Sequence, residues 1–364
     1  MDTRENASRS TKLIQASTQA EVPSSENSPS YVDVFADYRR QIDALLDIHI
    51  PRRPAAILQF PYDGNVGNHM MWVATTEYLR SRKIPVVYAA NGVNFNLEHL
   101  SRVIGNGSIL FLGGVTISKL WPRHAEVKRE VAERFPNNAL ISLPATVLFT
   151  DSEDSEQAST IFGNHPNVTV MARDPVSCEQ ARRAFPEHVR VLTVPDMALR
   201  LSPQKRQKPP EHNIVWLARD DKEGVGEAVP DDLFVFDWPH DLRKHVPKMY
   251  AFLRASGVFS RLRASKAGGA LAGIANPPLT EFYRRASLEM LNYGNRMLDL
   301  GQVLVTDRLH PHVLTALRDQ PAVLLPDKFG KNRAVYEHYT HKFKQVHFAE
   351  TPKEALALAR SLVR

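Results

Sequence analysis

Residues 303–312 read VLVTDRLHPH, and the chain continues VLTALRDQPAVLLP to residue 326. VLVT is short and apolar up to its closing threonine, as suits a strand covered on both faces. It delivers Thr306, Asp307, Arg308, Leu309 and His310 to the start of a helix, and AVLL at 322–325 is a second strand. A strand, a helix and a strand in immediate succession form a βαβ unit and imply a parallel sheet.

The same alternation runs outward in both directions. Strand-like runs lie at 55–60 (AAILQF), 85–90 (PVVYAA), 108–112 (SILFL), 139–143 (ALISL), 167–171 (NVTVM) and 189–193 (VRVLT). Helical segments are expected at 68–80, at 123–134 and from Pro175. At 202–213 the composition turns to SPQKRQKPPEHN, with adjacent prolines among polar and basic residues, as in a linker. Strands resume at 213–217, 233–236, 303–306, 322–325 and 345–348, with a long helix at 279–298. Thr351 and Glu354 have the spacing of a capping box opening the last helix. At the near end, YVDVFADYRRQIDALLDI from Tyr31 puts Val32, Phe35, Tyr38, Ile42, Leu45 and Leu46 near one helical face. Residues 1–30, rich in Ser, Thr, Glu and Asn, are expected to be a disordered tail. The predicted division is a tail at 1–30, a first α/β domain at 31–202, a linker at 203–212 and a second α/β domain at 213–364. A cleft between two such domains is the default ligand site.

Composition narrows the function. The 364 residues carry 46 Lys and Arg against 40 Asp and Glu, a net charge of +6, and these charges are scattered. Nucleic-acid binders concentrate basic residues on a face or in a run, so no nucleic-acid partner is expected. The mild surplus suits a phosphorylated small substrate or weak attraction to an anionic membrane surface. One cysteine, Cys178, excludes a disulfide framework and a cysteine zinc site and points to a reducing compartment. No apolar run reaches the length of a spanning helix, and the first ten residues lack the apolar core of a secretory signal. Cytoplasmic location is therefore the expectation.

Four motifs sit where strands end. FPYDGNVGNH at 60–69 offers Asn65, Gly67 and Asn68 at a glycine turn before a helix, either as a tight structural turn or as a close approach to a ligand. It matches neither the P-loop nor GxGxxG, which argues against ATP hydrolysis and dinucleotides. Gly113 and Gly114 follow the strand one βα unit later. Arg173, Asp174 and Ser177 lie in MARDPVS; the arginine fork suits a carboxylate or phosphate, and a surface ion pair with a helix cap is the bland alternative. In TDRLH, Arg308 and His310 can converge on one anion and supply a proton near neutral pH, whereas a lone pair of this kind would more often be a salt-bridged arginine and a core histidine. Asp237, Trp238 and His240 read either as a sugar platform or as a half-buried strand tryptophan. Lys328, Lys331 and Arg333 form either an exposed basic loop or an anion-binding rim. The scattered histidines propose no metal site, and Ser142 lacks GxSxG.

Taken together these residues resemble the polysaccharide pyruvyl transferase family. The match runs through Gly64-Asn65-Val66-Gly67, Gly113-Gly114, Arg173-Asp174 with Ser177, Asp196 in VPDMAL, TDRLH at 306–310, and Gly330-Lys331. Asn68 and Pro311 depart from it, standing where such proteins often carry Asp and a small residue. The resemblance implies two Rossmann-like domains facing across a cleft in a GT-B-like arrangement. It implies transfer of the enolpyruvyl unit of phosphoenolpyruvate onto sugar hydroxyls as a ketal in exopolysaccharide synthesis. Arg173, Arg308 and His310 would then be catalytic. Asn65, Gly67, Asn68, Gly113, Gly114, Asp174, Ser177, Leu309 and Lys331 would bind substrate. No metal or cofactor is implied. The acceptor would be a glycan or a lipid-linked oligosaccharide, met by peripheral association at the inner membrane face. A nucleotide-sugar glycosyltransferase and a non-catalytic scaffold in polysaccharide assembly are the rival readings.

Overall fold

The computed structural model describes residues 29–117, 120–221, 232–264 and 268–364. Of the expected tail, residues 1–28 lie outside the described residues.

The chain is an α/β protein with two parallel sheets. The first holds β1 (Ala55–Leu58), β2 (Val86–Ala90), β3 (Ser108–Phe111), β4 (Gly114–Ile117), β5 (Leu140–Val147), β6 (Val168–Ala172) and β7 (Arg190–Thr193). Their order is β2-β1-β3-β5-β6-β7, with β4 paired to β5. The second holds β8 (His212–Leu217), β9 (Phe234–Phe236), β10 (Gly301–Thr306), β11 (Ala322–Leu324) and β12 (Val346–Phe348) in the order β12-β11-β10-β8-β9. The pairings are parallel, and β1, β3, β5 and β6 are buried along their whole length, which explains their unbroken apolar sequences.

Helices cover the sheets. The first half carries α1 (Tyr31–His49), α2 (Val66–Ser81), α3 (Leu97–Ile104), α4 (Pro122–Arg134), α5 (Ser152–Gly163) and α6 (Pro175–Ala184). The second carries α7 (Leu242–His245), α8 (Pro247–Ala264), α9 (Gly268–Asp299), α10 (Leu309–Leu317), α11 (Lys331–His338) and α12 (Pro352–Leu362). Local chemistry sets several of these starts. Asn65 caps α2 through the Gly67 N–H (3.1 Å), and Asp174 caps α6 with Pro175 in its first turn.

Some boundaries differ from expectation. Helix α9 begins at Gly268, upstream of the expected 279, and runs through Pro277 and Pro278. Strand β5 continues past Pro144 with a shift of register between Ser142 and Ala145. Of the glycine pair, Gly114 opens β4 and Gly113 lies just before it. At α12, Thr351 accepts the Glu354 N–H at 3.3 Å, but Glu354 accepts from the Glu350 N–H, one residue before the cap.

Two long-range contacts bring the sheets together. Tyr283 of α9 stacks on Phe60 with ring centroids 4.0 Å apart, and Ser287 meets the buried His69 of α2 at 3.0 Å. Helix α1 reaches the far end of the chain. Phe35 stacks on Phe343 at 4.5 Å, and Tyr38 donates its hydroxyl to the Tyr339 carbonyl at 2.8 Å. One apolar core therefore includes Ile57, Met70, Leu217, Leu314 and Phe343. The segment 203–212 is pinned by Gln204 N–H to Leu317 O (2.7 Å) and Glu211 N–H to Leu300 O (2.9 Å). Among the described residues, no helix is long and apolar enough to cross a membrane.

Candidate functional site

A cavity of about 470 Å³ opens at the carboxyl ends of strands from both sheets. The residues after β1, β2, β3 and β6 supply Phe60, Asn91, Gly113 and Arg173; those after β8, β9 and β10 supply Arg219, Trp238 and Arg308. Parallel α/β sheets present ligand sites at this edge, because the loops and helix N-termini there point free N–H groups outward.

From the first sheet comes a buried arginine. Arg173 donates Nε to Thr146 Oγ1 and Nη1 to Asp196 Oδ2, both at 2.8 Å. Asp196 also accepts the Ala198 N–H at 2.8 Å. Burial alone would raise its carboxyl, but His310, Arg173 and the Ala198 N–H together hold it well below the usual carboxylate range. His310, in the first turn of α10, brings Nε2 to 3.4 Å from Asp196 Oδ2, outside the alignment of a hydrogen bond. The ring rests on Gly67, where a Cβ would fall 2.2 Å from His310 Nδ1. The turn at Gly64 is equally tight: a Cβ there would meet Pro239 O at 1.9 Å, so glycine lets the two halves touch.

From the second sheet comes the other arginine. Thr306 anchors the end of β10 by donating its hydroxyl to Leu217 O (2.8 Å) and accepting the Arg308 N–H (3.0 Å). Arg308 donates Nε and Nη2 to the two oxygens of Asp237, both at 2.5 Å, and Nη2 also lies 3.3 Å from Asp221. Burial pushes the Asp237 carboxyl up against the pull of Arg308. Burial likewise raises Asp307, to about 6, although Arg308 and Arg219 oppose it. Each Lys or Arg lining the cavity is matched to its own carboxylate: Arg173 to Asp196, Arg219 to Asp221 (2.7 Å), Arg308 to Asp237 and Lys331 to Asp327 (3.2 Å). Such pairing lets cations stay buried at fixed positions.

Residues 65–326 match the family model described as polysaccharide pyruvyl transferase. The chain belongs to that family. A Bacillus subtilis (strain 168) protein with the provisional name pyruvyl transferase EpsO is 25% identical over 304 residues, covering 82% of this chain and 89% of its own. Pyruvyl transferase 1 of Schizosaccharomyces pombe (strain 972 / ATCC 24843) is 26% identical over 301 residues, 79% of this chain and 70% of its own. The crystal structure of Klebsiella pneumoniae subsp. pneumoniae NTUH-K2044 protein KP1_0663 is similar in fold, with a TM-score of 0.54 at 16% identity, covering 86% of this chain and 99% of that one. As a member of the pyruvyl transferase family, the chain is a transferase.

Nine of the twelve residues expected to be catalytic or substrate-binding line the cavity: Asn65, Asn68, Gly113, Gly114, Arg173, Arg308, Leu309, His310 and Lys331. Three do not. Gly67 lies behind His310, while Asp174 and Ser177 are a capping pair, the carboxylate taking both the Ser177 N–H and its hydroxyl at 2.7 Å. Trp238 lines the cavity but is only 4% exposed, and Asp237 holds Arg308. Lys331 faces the cavity, but Arg333 points away to Glu350 and stacks over Phe348 at 4.7 Å. The sequence singles out neither Gln59 nor Lys128, and His124 only as one of the scattered histidines. Gln59 has a positive φ of 69° at the end of β1, lines the cavity and accepts from the buried Lys128 at 3.3 Å. Burial lowers Lys128 to about 7, and burial with Lys128 nearby lowers His124 to about 4. Nothing in PRHAEVKREVAER separates Lys128 from its charged neighbours, so no local signal marks it.

Proposed function

We propose that the protein transfers the enolpyruvyl group of phosphoenolpyruvate onto sugar hydroxyls of a cell-surface polysaccharide or its precursor, forming a ketal and releasing phosphate. The observation that carries this reading is the convergence of Arg173, Arg308 and His310, from loops of both sheets, on one cavity. In this reading the two sheets are the cores of two Rossmann-like domains in a GT-B-like arrangement, meeting near residues 203–212. The donor has a carboxylate and a phosphate, and two guanidinium charges, one from each sheet, suit two anionic groups. His310 serves as the general acid or base, with its ring oriented by Asp196 and Gly67. A proton reaches the methylene carbon, one sugar hydroxyl adds at the central carbon, the C–O bond to phosphate breaks, and a second hydroxyl closes the ketal. Of the two hydroxyl protons lost, one balances the new methyl group and the other leaves on phosphate.

Asn65, Asn68, Gly113 and Gly114 line the first-sheet side of the cavity, where the acceptor would enter. Lys331 adds a cation on the donor side. Incubation with phosphoenolpyruvate and a galactoside should release inorganic phosphate and yield a pyruvylated sugar. Consumption of a nucleotide sugar with phosphoenolpyruvate untouched would overturn the reading.

A further inference from the structure

We infer that Asp237 is a positioning residue, acting through Arg308 to aim the guanidinium at the phosphoenolpyruvate donor; this rests on the donor reading above. Asp237 follows β9, and 71 residues separate it from Arg308. It takes Nε and Nη2 of Arg308, the side edge of the guanidinium, with both of its oxygens. The carboxylate is itself held: Oδ1 accepts the Trp238 N–H at 2.7 Å and Oδ2 the Asp220 N–H at 3.1 Å. Asp221 closes the arrangement by gripping Arg219 with both oxygens (2.7 and 3.1 Å) while lying 3.3 Å from Arg308 Nη2. With those two nitrogens committed, Nη1 is the part of the fork left for an anion in the cavity that Arg308 lines. A long side chain with several rotatable bonds is thereby reduced to one orientation before ligand arrives, which removes an ordering cost from binding.

The consequence is that donor affinity depends on Asp237 only while Arg308 is present. Phosphoenolpyruvate binding is measured by titration calorimetry, and donor and acceptor KM by phosphate release, for the wild-type protein, Asp237→Asn, Arg308→Ala and the double variant. Asn offers an amide nitrogen where Arg308 Nη2 needs an acceptor, so the fork is broken without loss of volume. Asp237→Asn should weaken donor binding about tenfold, raise donor KM in step and leave acceptor KM unchanged. In the Arg308→Ala background the same change should add nothing, because the effect passes through the guanidinium. Asp237→Glu keeps the charge but displaces it by one methylene, so it should also weaken donor binding; this variant carries the test should Asp237→Asn fail to fold. Donor binding equal to wild type in either single variant, or an undiminished loss in the Arg308→Ala background, would overturn the assignment. Absence of phosphoenolpyruvate binding by the wild-type protein would instead remove the donor reading and this assignment with it.

Discussion

His310 and Gly67 depend on each other. The imidazole occupies the space that a Cβ at position 67 would need, so Gly67→Ala must push the ring away from Asp196. We expect it to lower turnover at least tenfold while costing about 1–3 kcal/mol of stability, the usual range for overpacking; turnover assays and denaturant melts check both. Arg308 and His310 separate by parameter. Losing a charge-assisted hydrogen bond costs about 1.5–3 kcal/mol. Arg308→Ala should therefore weaken phosphoenolpyruvate binding about ten- to a hundredfold. His310→Ala should spare most binding and lower turnover about 10²–10⁴-fold. Full turnover in a folded His310→Ala protein would exclude it as acid or base. Arg308→Lys should rescue little, because one ammonium cannot satisfy both oxygens of Asp237 and still reach a ligand.

The helix starts carry different burdens. Asp174 is joined to Arg173 in sequence, yet its carboxylate is spent on Ser177 at the head of α6. Asp174→Ala should cost about 0.5–2 kcal/mol, as the loss of a helix cap does, with phosphoenolpyruvate affinity changed less than threefold; a melting curve and a binding titration separate cap from ligand residue. Helix α10 has no side-chain cap, since Arg308 stands at that position, and its first turn instead faces the cavity through Leu309 and His310. Helix α1 lies first among the described elements but packs against the last part of the chain. Phe35 is fully buried on Phe343, so Phe35→Ala should cost about 3–5 kcal/mol by chemical denaturation.

Buried titratable groups make the stability of the fold depend on pH. Burial lowers His49 and His124 from 6.5 to about 4 and His312 to about 3. Below pH 6.5 the unfolded chain takes up these protons and the folded chain does not, so stability present above 6.5 is lost as pH falls towards 4. Asp307 works the other way: raised from 3.8 to about 6, it binds protons better when folded, so its contribution is lost as pH rises from about 4 to 6. Burial also lowers His69, His165 and His347, so six lowered histidines stand against the raised Asp307, Asp237 and His240, which predicts a net fall in melting temperature between pH 6.5 and 4. A flat profile across that range would contradict the neutral burial of these histidines. Asp307→Asn should raise the melting temperature at pH 8 and do little at pH 4.

The alternation of apolar runs and amphipathic helices, and the placing of TDRLH at a strand end, were legible in the residues alone. Strand and helix periodicity are local properties, and so is the glycine and arginine chemistry at the loops that follow strands. Helix α9 was half legible, because Pro277 and Pro278 carry a strong local breaker signal that the helix overrides. Only the tertiary structure decided how the charges are spent. Arg173 meets Asp196 across 23 residues and Arg308 meets Asp237 across 71, and Lys128 is buried beside Gln59 although Glu126 and Arg129, charged residues close to it in sequence, are exposed. Burial and ion pairing depend on what lies opposite in space, which no window of sequence contains. A buried cation must find its carboxylate there or pay the full cost of leaving water.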